Sequence, residues 1–231
     1  MRAQVHHVIL YQVDKAKAVT KDNGEAGEGW TCFGGSGVSG NPTMIGGWVP
    51  GTGVVNFPTG IGVELTAGKV IAMQIHYNVG NGVQLPDRTE AKFMFATTPV
   101  TKGAFVPLLD DTFSIPPNTL DFTPPTQPKR FPSLGVKLWG VLPHMHTRGK
   151  RLKVDYTPTG GSTQCLVDIP RWDFHWQQLY FYKNPVQLGP SLNGLSLTCT
   201  WDNPTSKTVT WGEGTDDEMC LNYLYVTSPL L

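Results

Sequence analysis

The chain has 231 residues and a mass of 25.3 kDa, with 18 basic against 18 acidic side chains and no net charge. That length allows one large or two modest domains, and the balanced charge offers no electrostatic footprint for a nucleic acid. Charged residues make up only 16% while glycine (26) and proline (19) are abundant, which excludes a helical bundle or coiled coil; no run of 18 apolar residues exists, so no membrane span is expected.

Strand-like segments follow one another along the chain. They are Val5–Val13, Val63–Val79 with a break near Gly68, Ala91–Thr98, Gly135–His146, Leu152–Thr157, Gln164–Ile169, Trp176–Tyr182, Ser196–Trp201, Thr208–Trp211 and Cys220–Thr227. Most are rich in β-branched and aromatic residues and are bounded by Gly, Pro, Asn or Asp, whereas no window holds a 3.6-residue apolar stripe over three turns. The expected fold class is therefore all-β, a sandwich or barrel. Residues 24–62 are glycine-rich and read as long surface loops with little strand signal until Trp48. A stretch from Ser114 to Ser133 carries Pro116, Pro117, Pro124, Pro125, Pro128 and Pro132 and reads as a linker or domain edge. A boundary near Gly103–Pro107 divides the chain into domains 1–105 and 106–231.

Four cysteines, Cys32, Cys165, Cys199 and Cys220, show no CxxC metal spacing. Cys199 ends an alternating strand and Cys220 opens another. If those strands are adjacent, the two lie within bridging distance, and a bridge would indicate an oxidising compartment.

The six histidines are His6, His7, His76, His144, His146 and His175. In "LPHMHTRGK", His144 and His146 stand two apart, and on a strand both rings would project from one face toward one ion. In "HHVILYQ", regular strand geometry sends His6 and His7 to opposite faces, so a shared ion requires a bulge or twist. His76, in "MQIHYN", would complete a three-imidazole set. Met219, in "GEGTDDEMCLNY", follows three acids that read as a solvated turn; a thioether serves chiefly a soft metal such as Cu(I). His175, flanked by Trp172, Phe174 and Trp176, reads as a packed strand-end histidine. Trp176, Tyr223 and Tyr225 read equally as pocket wall or as core.

Taken in order, the HH pair with its apolar strand, the "QIHY" histidine, the HxH followed by "RGK", and "DEMC" resemble the copper type II, ascorbate-dependent monooxygenases. The resemblance implies two antiparallel jelly-roll β-sandwich domains, two copper ions per chain, and ascorbate as reductant. It implies that His6, His7 and His76 hold an electron-transfer copper and that His144, His146 and Met219 hold the oxygen-binding copper. It also implies a Cys199–Cys220 disulfide and a place for Gln74 on the route between coppers, and it makes no assignment for Cys32 or Cys165. The implied reaction inserts one atom of O2 into an aliphatic C–H bond of a small-molecule or peptide-like substrate, in a secreted or periplasmic protein.

Three departures bear on these expectations. The family carries several strands before its HH pair, so the expectation is that the recorded chain lacks its N-terminal strands and any signal peptide. Leu142 and Leu221 stand where the peptide-amidating members place an arginine and an asparagine that hold the substrate carboxylate, although Tyr223 retains a tyrosine. Met145, between the two histidines, points to a divergent, bacterial-type branch. Competing readings are a non-catalytic copper-binding module and a zinc hydrolase; the latter is disfavoured by the thioether and by the lack of HExxH.

Overall fold

The computed structural model describes residues 4–32, 34–77, 85–131, 135–189, 191–214, 216–229 and 231. Asn78 and Val79, the end of one expected strand, and Pro132 and Ser133 of the proline-rich stretch lie outside the described residues. Among the described residues the secondary structure is β apart from one short helix, and the chain divides into two compact units, Met1–Lys102 and Gly103–Leu231.

In the first unit, β1 (Val5–Asp14) is the central strand of a three-stranded antiparallel sheet, between β2 (Thr43–Trp48) and β4 (Lys69–Tyr77). Val5, Val8, Tyr11 and Val13 of β1 are buried, together with Met44 and Ile45 of β2 and Ala72 of β4. β2 falls inside the stretch read as loops. Its Gly46 and Gly47 carry no β-propensity, but they allow a close strand approach: a Cβ at Gly47 would lie 2.8 Å from the Val8 carbonyl oxygen. Helix α1 (Lys15–Asp22) was likewise not expected, because eight residues make too few turns for a periodic stripe. Asp14 caps it, accepting a hydrogen bond from the Lys17 N–H at 2.9 Å. Short β3 (Ile61–Val63) begins where Thr101 N–H donates to the Gly60 carbonyl at 2.8 Å. The strand expected at Ala91–Thr98 does not form. It holds a run of apolar residues, Phe93 to Ala96, but the backbone joins no ladder among the described residues, and Met94 and Phe95 are 82% and 74% exposed.

The chain passes into the second unit within β5 (Thr101–Asp110). There follow β6 (Ser114–Ile115), β7 (Thr119–Phe122), β8 (Lys129–Phe131), β9 (Val136–His144), β10 (Gly149–Tyr156), β11 (Gln164–Ile169), β12 (Tyr180–Leu188), β13 (Ser191–Asn203), β14 (Val209–Thr210) and β15 (Cys220–Thr227). One sheet runs β11-β10-β13-β7, with β8 also on β13; the other runs β12-β9-β15-β5 within this unit, and every pairing is antiparallel. Their inner faces share one core. Leu152, Val154, Tyr156, Leu197 and Trp201 enter it from the first sheet, and Leu138, Val141, Leu224 and Val226 from the second. The Cys199–Cys220 disulfide is formed and joins β13 to β15, one strand from each sheet. β5 lies where a boundary was read from Gly103 and Pro107. Pro107 lies within β5, in register with Tyr223 of β15, although proline can donate no ladder hydrogen bond.

Candidate metal centres

His6 and His7 do not follow regular strand alternation. The β1–β4 register shifts between Val5 and His7, and this bulge turns His6 out of the pleat and toward its neighbour. The two Nδ1 atoms are 2.9 Å apart, with ring centroids at 5.1 Å. His7 is paired with His76 across the ladder, and those centroids are 4.0 Å apart. The three imidazoles named from sequence are thus neighbours on one sheet. Gln74, two residues before His76 and so on the same face of β4, is 4% exposed. Neither its Oε1 nor its Nε2 has a hydrogen-bond partner among the described residues. An amide buried in that state typically costs about 1–3 kcal/mol.

In the second unit, His144 is the last residue of β9, in register with Leu221 of β15. The chain leaves the strand there, so His146 lies in the β9–β10 turn rather than on the strand as expected. The turn still brings the rings together: their centroids are 5.2 Å apart and their planes lie at 86°. Each Nδ1 is engaged, His144 with Gln177 Oε1 at 2.6 Å and His146 with the Asp217 carbonyl at 3.0 Å. Both partners are oxygen acceptors, so in its neutral form each ring carries its proton on Nδ1 and its lone pair on Nε2, the tautomer that suits a metal ligand. Burial holds the His146 pKa below the usual histidine value, against the pull of the Asp217 carbonyl; this favours the neutral, metal-binding form. Trp172 steadies the turn, its Nε1–H donating to the His146 carbonyl at 3.2 Å.

Met219 is 6% exposed and directly precedes Cys220, the residue bridged to Cys199. The three acids before it are not all solvated. Asp216 is exposed, but Glu218 is fully buried. Its Oε2 accepts from the His146 N–H (3.0 Å), Trp201 Nε1–H (3.0 Å) and Met219 N–H (3.3 Å), and its Oε1 accepts from the Arg148 N–H (2.5 Å). Burial raises the Glu218 carboxyl pKa, and these N–H bonds oppose the rise.

The donors fit copper. Two imidazoles with anchored Nδ1 atoms, together with a buried methionine on the adjacent segment, match a metal that cycles between Cu(I) and Cu(II). In the first unit, two Nδ1 atoms at 2.9 Å must share one proton or turn their lone pairs to one cation. Even so, among the described residues no three His, Cys, Asp or Glu side chains form a closed metal-binding group.

His175 departs from its expected role: it is exposed in a turn, its N–H donating to Asp173 Oδ1 at 2.8 Å. Trp176 is 61% exposed and Tyr225 fully buried, so Tyr225 is core and Trp176 is not. Sequence reasoning missed Gln177 and Glu218. Gln177 stands 33 positions from His144 in an irregular segment, and Glu218 sits in an acidic run; neither position carries a local signal.

The profile of the copper type II ascorbate-dependent monooxygenase C-terminal domain matches residues 106–229, more than half of the chain. This chain belongs to that family. It is 24% identical over 200 residues to tyramine beta-hydroxylase of Caenorhabditis briggsae, covering 79% of this chain and 33% of that protein. It is 29% identical over 91 residues to DBH-like monooxygenase protein 1 of Mus musculus, covering 39% of this chain and 15% of that protein. The chain therefore spans a third or less of the length of these relatives. Among solved structures, the VP2 subviral particle of infectious bursal disease virus matches 97% of this chain and 52% of that chain at 14% identity, with a TM-score of 0.28, too low to bear on the fold.

Proposed function

We propose that this protein is a copper-dependent monooxygenase that hydroxylates an aliphatic C–H bond with O2, with ascorbate as electron donor. One oxygen atom enters the C–H bond; the other leaves as water, with two electrons and two protons drawn from ascorbate. The reading is carried by the pair His144 and His146, whose rings are neighbours and are each held through Nδ1 by an oxygen acceptor. Copper, when bound, supplies the one-electron redox steps and the reaction with O2.

In this reading His6, His7 and His76 hold the electron-transfer ion, and Gln74 lies on the route from it. His144, His146 and Met219 hold the ion at which substrate is oxidised, and the thioether of Met219 favours Cu(I) there. Two antiparallel jelly-roll domains, one ion each, would divide these roles. Substrate would meet the face of β9 and β15 that carries His144. Leu142, two residues back, shares that face, and so do their cross-strand partners Leu221 and Tyr223. These side chains supply no cation for a carboxylate, which argues against a glycine-extended peptide and for a small amphipathic molecule. The disulfide supports a secreted or periplasmic location. Among the described residues, no helix is long and apolar enough to cross a membrane.

A second reading, copper binding without turnover, is favoured by one observation: the three rings of the first unit do not form a closed ligand group as they stand. One experiment separates the two. The protein is loaded with excess copper and desalted, its copper content is measured, and ascorbate-dependent oxygen uptake is followed with tyramine, the first probe suggested by the C. briggsae relative's name. Two copper per chain with a hydroxylated product supports the monooxygenase. One copper with uptake no faster than free-copper autoxidation supports the binding module, and no retained copper refutes both.

A further inference from the structure

Glu218 is a fully buried acid whose hydrogen-bond partners among the described residues include no cation. The nearby Arg148 guanidinium is directed elsewhere, to the Asp216 carbonyl at 2.6 Å and the Asp216 carboxylate at 3.7 Å. Burying a carboxylate is costly unless its oxygens are satisfied. Here four N–H groups satisfy them. They come from three places in the fold: His146 and Arg148 in the β9–β10 turn, Trp201 on β13, and Met219 itself. Only an ionised Asp or Glu presents two oxygens that accept without also donating; a glutamine would turn its NH2 toward N–H donors.

The arrangement has a direction. Glu218 grips the backbone N–H of His146, and Asp217, its neighbour, accepts from His146 Nδ1. It also grips the N–H of Met219 on its own segment. The histidine and the thioether lie on segments 73 residues apart, and a single carboxylate joins both backbones to the indole of a fully buried tryptophan. Metal sites need such outer-shell anchors to hold ligands to within a fraction of an ångström.

We infer that Glu218 is the positioning residue that sets Met219 against His146 at the copper site of the second unit. It touches neither metal nor substrate, and the inference rests on the reading of His144, His146 and Met219 as ligands.

The test loads wild-type protein, Glu218→Gln, Met219→Leu and the double variant with Cu(I). It reads the copper–sulfur contribution by X-ray absorption, and the copper affinity by competition with a chelator. Expected are a copper–sulfur signal in wild type, its loss in Glu218→Gln, and about 10- to 100-fold weaker copper at that site. Glu218→Gln should add nothing to Met219→Leu, because a residue that acts through the thioether has no effect once the thioether is gone. A purely structural role would instead weaken binding equally in both backgrounds, and that result overturns the inference. So does a copper–sulfur signal that persists in Glu218→Gln with affinity within twofold of wild type. If wild type lacks the signal and Met219→Leu binds copper as wild type does, the ligand assignment itself fails. Should Glu218→Gln not fold, Glu218→Asp carries the same readouts, since it keeps the charge and withdraws both oxygens by one methylene.

Discussion

His7 and His76 face one another across the β1–β4 ladder, with ring centroids 4.0 Å apart, and the bulge between Val5 and His7 adds His6 to the same group. Cross-strand register therefore decides which histidines meet. The site of the second unit is assembled from other segments, so the two should fail independently. His7→Ala should lower copper from two to one per chain and leave the copper–sulfur signal intact, whereas His144→Ala should remove one copper together with that signal. Metal analysis of both desalted variants checks this; loss of both ions in either variant would sink the idea of separate sites.

Gln177 acts on His144 from outside the proposed ligand set. Its Oε1 fixes the ring through Nδ1, and its own Nε2–H is held by the Phe174 carbonyl at 2.8 Å. Gln177→Leu keeps the volume and removes the acceptor, releasing the ring to rotate or change tautomer. Copper affinity at this site should fall about 10- to 100-fold with little change in circular dichroism. An unchanged affinity by chelator competition would show that the ring is fixed by packing alone.

The Cys199–Cys220 bridge closes a loop with a sequence separation of 21. Chain-entropy arguments assign such a cross-link about 3 kcal/mol. The double variant Cys199→Ser/Cys220→Ser should lose about that much stability in urea denaturation, together with copper affinity at the second unit. Stability within experimental error of wild type would mean that the core alone sets the spacing of β13 and β15. Cys165, an exposed free thiol, serves as the control: its replacement by serine should change stability by less than about 0.5 kcal/mol.

Gly149 follows the HxH turn with no room for a side chain. A Cβ there would lie 2.7 Å from Trp172 Cδ1 and 3.0 Å from Met145 Cβ. Gly149→Ala must displace the indole that donates to the His146 carbonyl. The expected cost is about 1–3 kcal/mol, accompanied by weaker copper binding. A variant with wild-type melting temperature and affinity would show that the indole can move without cost.

Where local pattern and burial agree, the fold was legible. Gln164–Ile169 and Cys220–Thr227 are short runs dominated by apolar, β-branched and aromatic residues, and they form β11 and β15 with the boundaries expected. β2 and β5 were hidden because Gly46, Gly47 and Pro107 oppose strand propensity, and both strands form through pairing with distant segments. Trp176–Tyr182 misled in the other direction: its aromatics resemble a strand, yet β12 starts only at Tyr180. At the candidate site, residue type was enough to mark the histidines and Met219 as candidate ligands. The bulge at His6 was not visible, since register belongs to two strands at once. Nor was the burial of Glu218, since an acid in an acidic run looks solvated until the fold supplies four N–H donors, three of them from distant segments.

The bridge between β13 and β15 also constrains motion. It ties one sheet to the other beside Met219, while Glu218 fastens the same segment to Trp201 on β13. The two layers cannot shear past one another without dragging that segment along. Any lengthening or shortening of the sulfur's reach must then arise from torsions about the methionine's own three side-chain bonds, on the time scale of rotamer exchange rather than of domain motion.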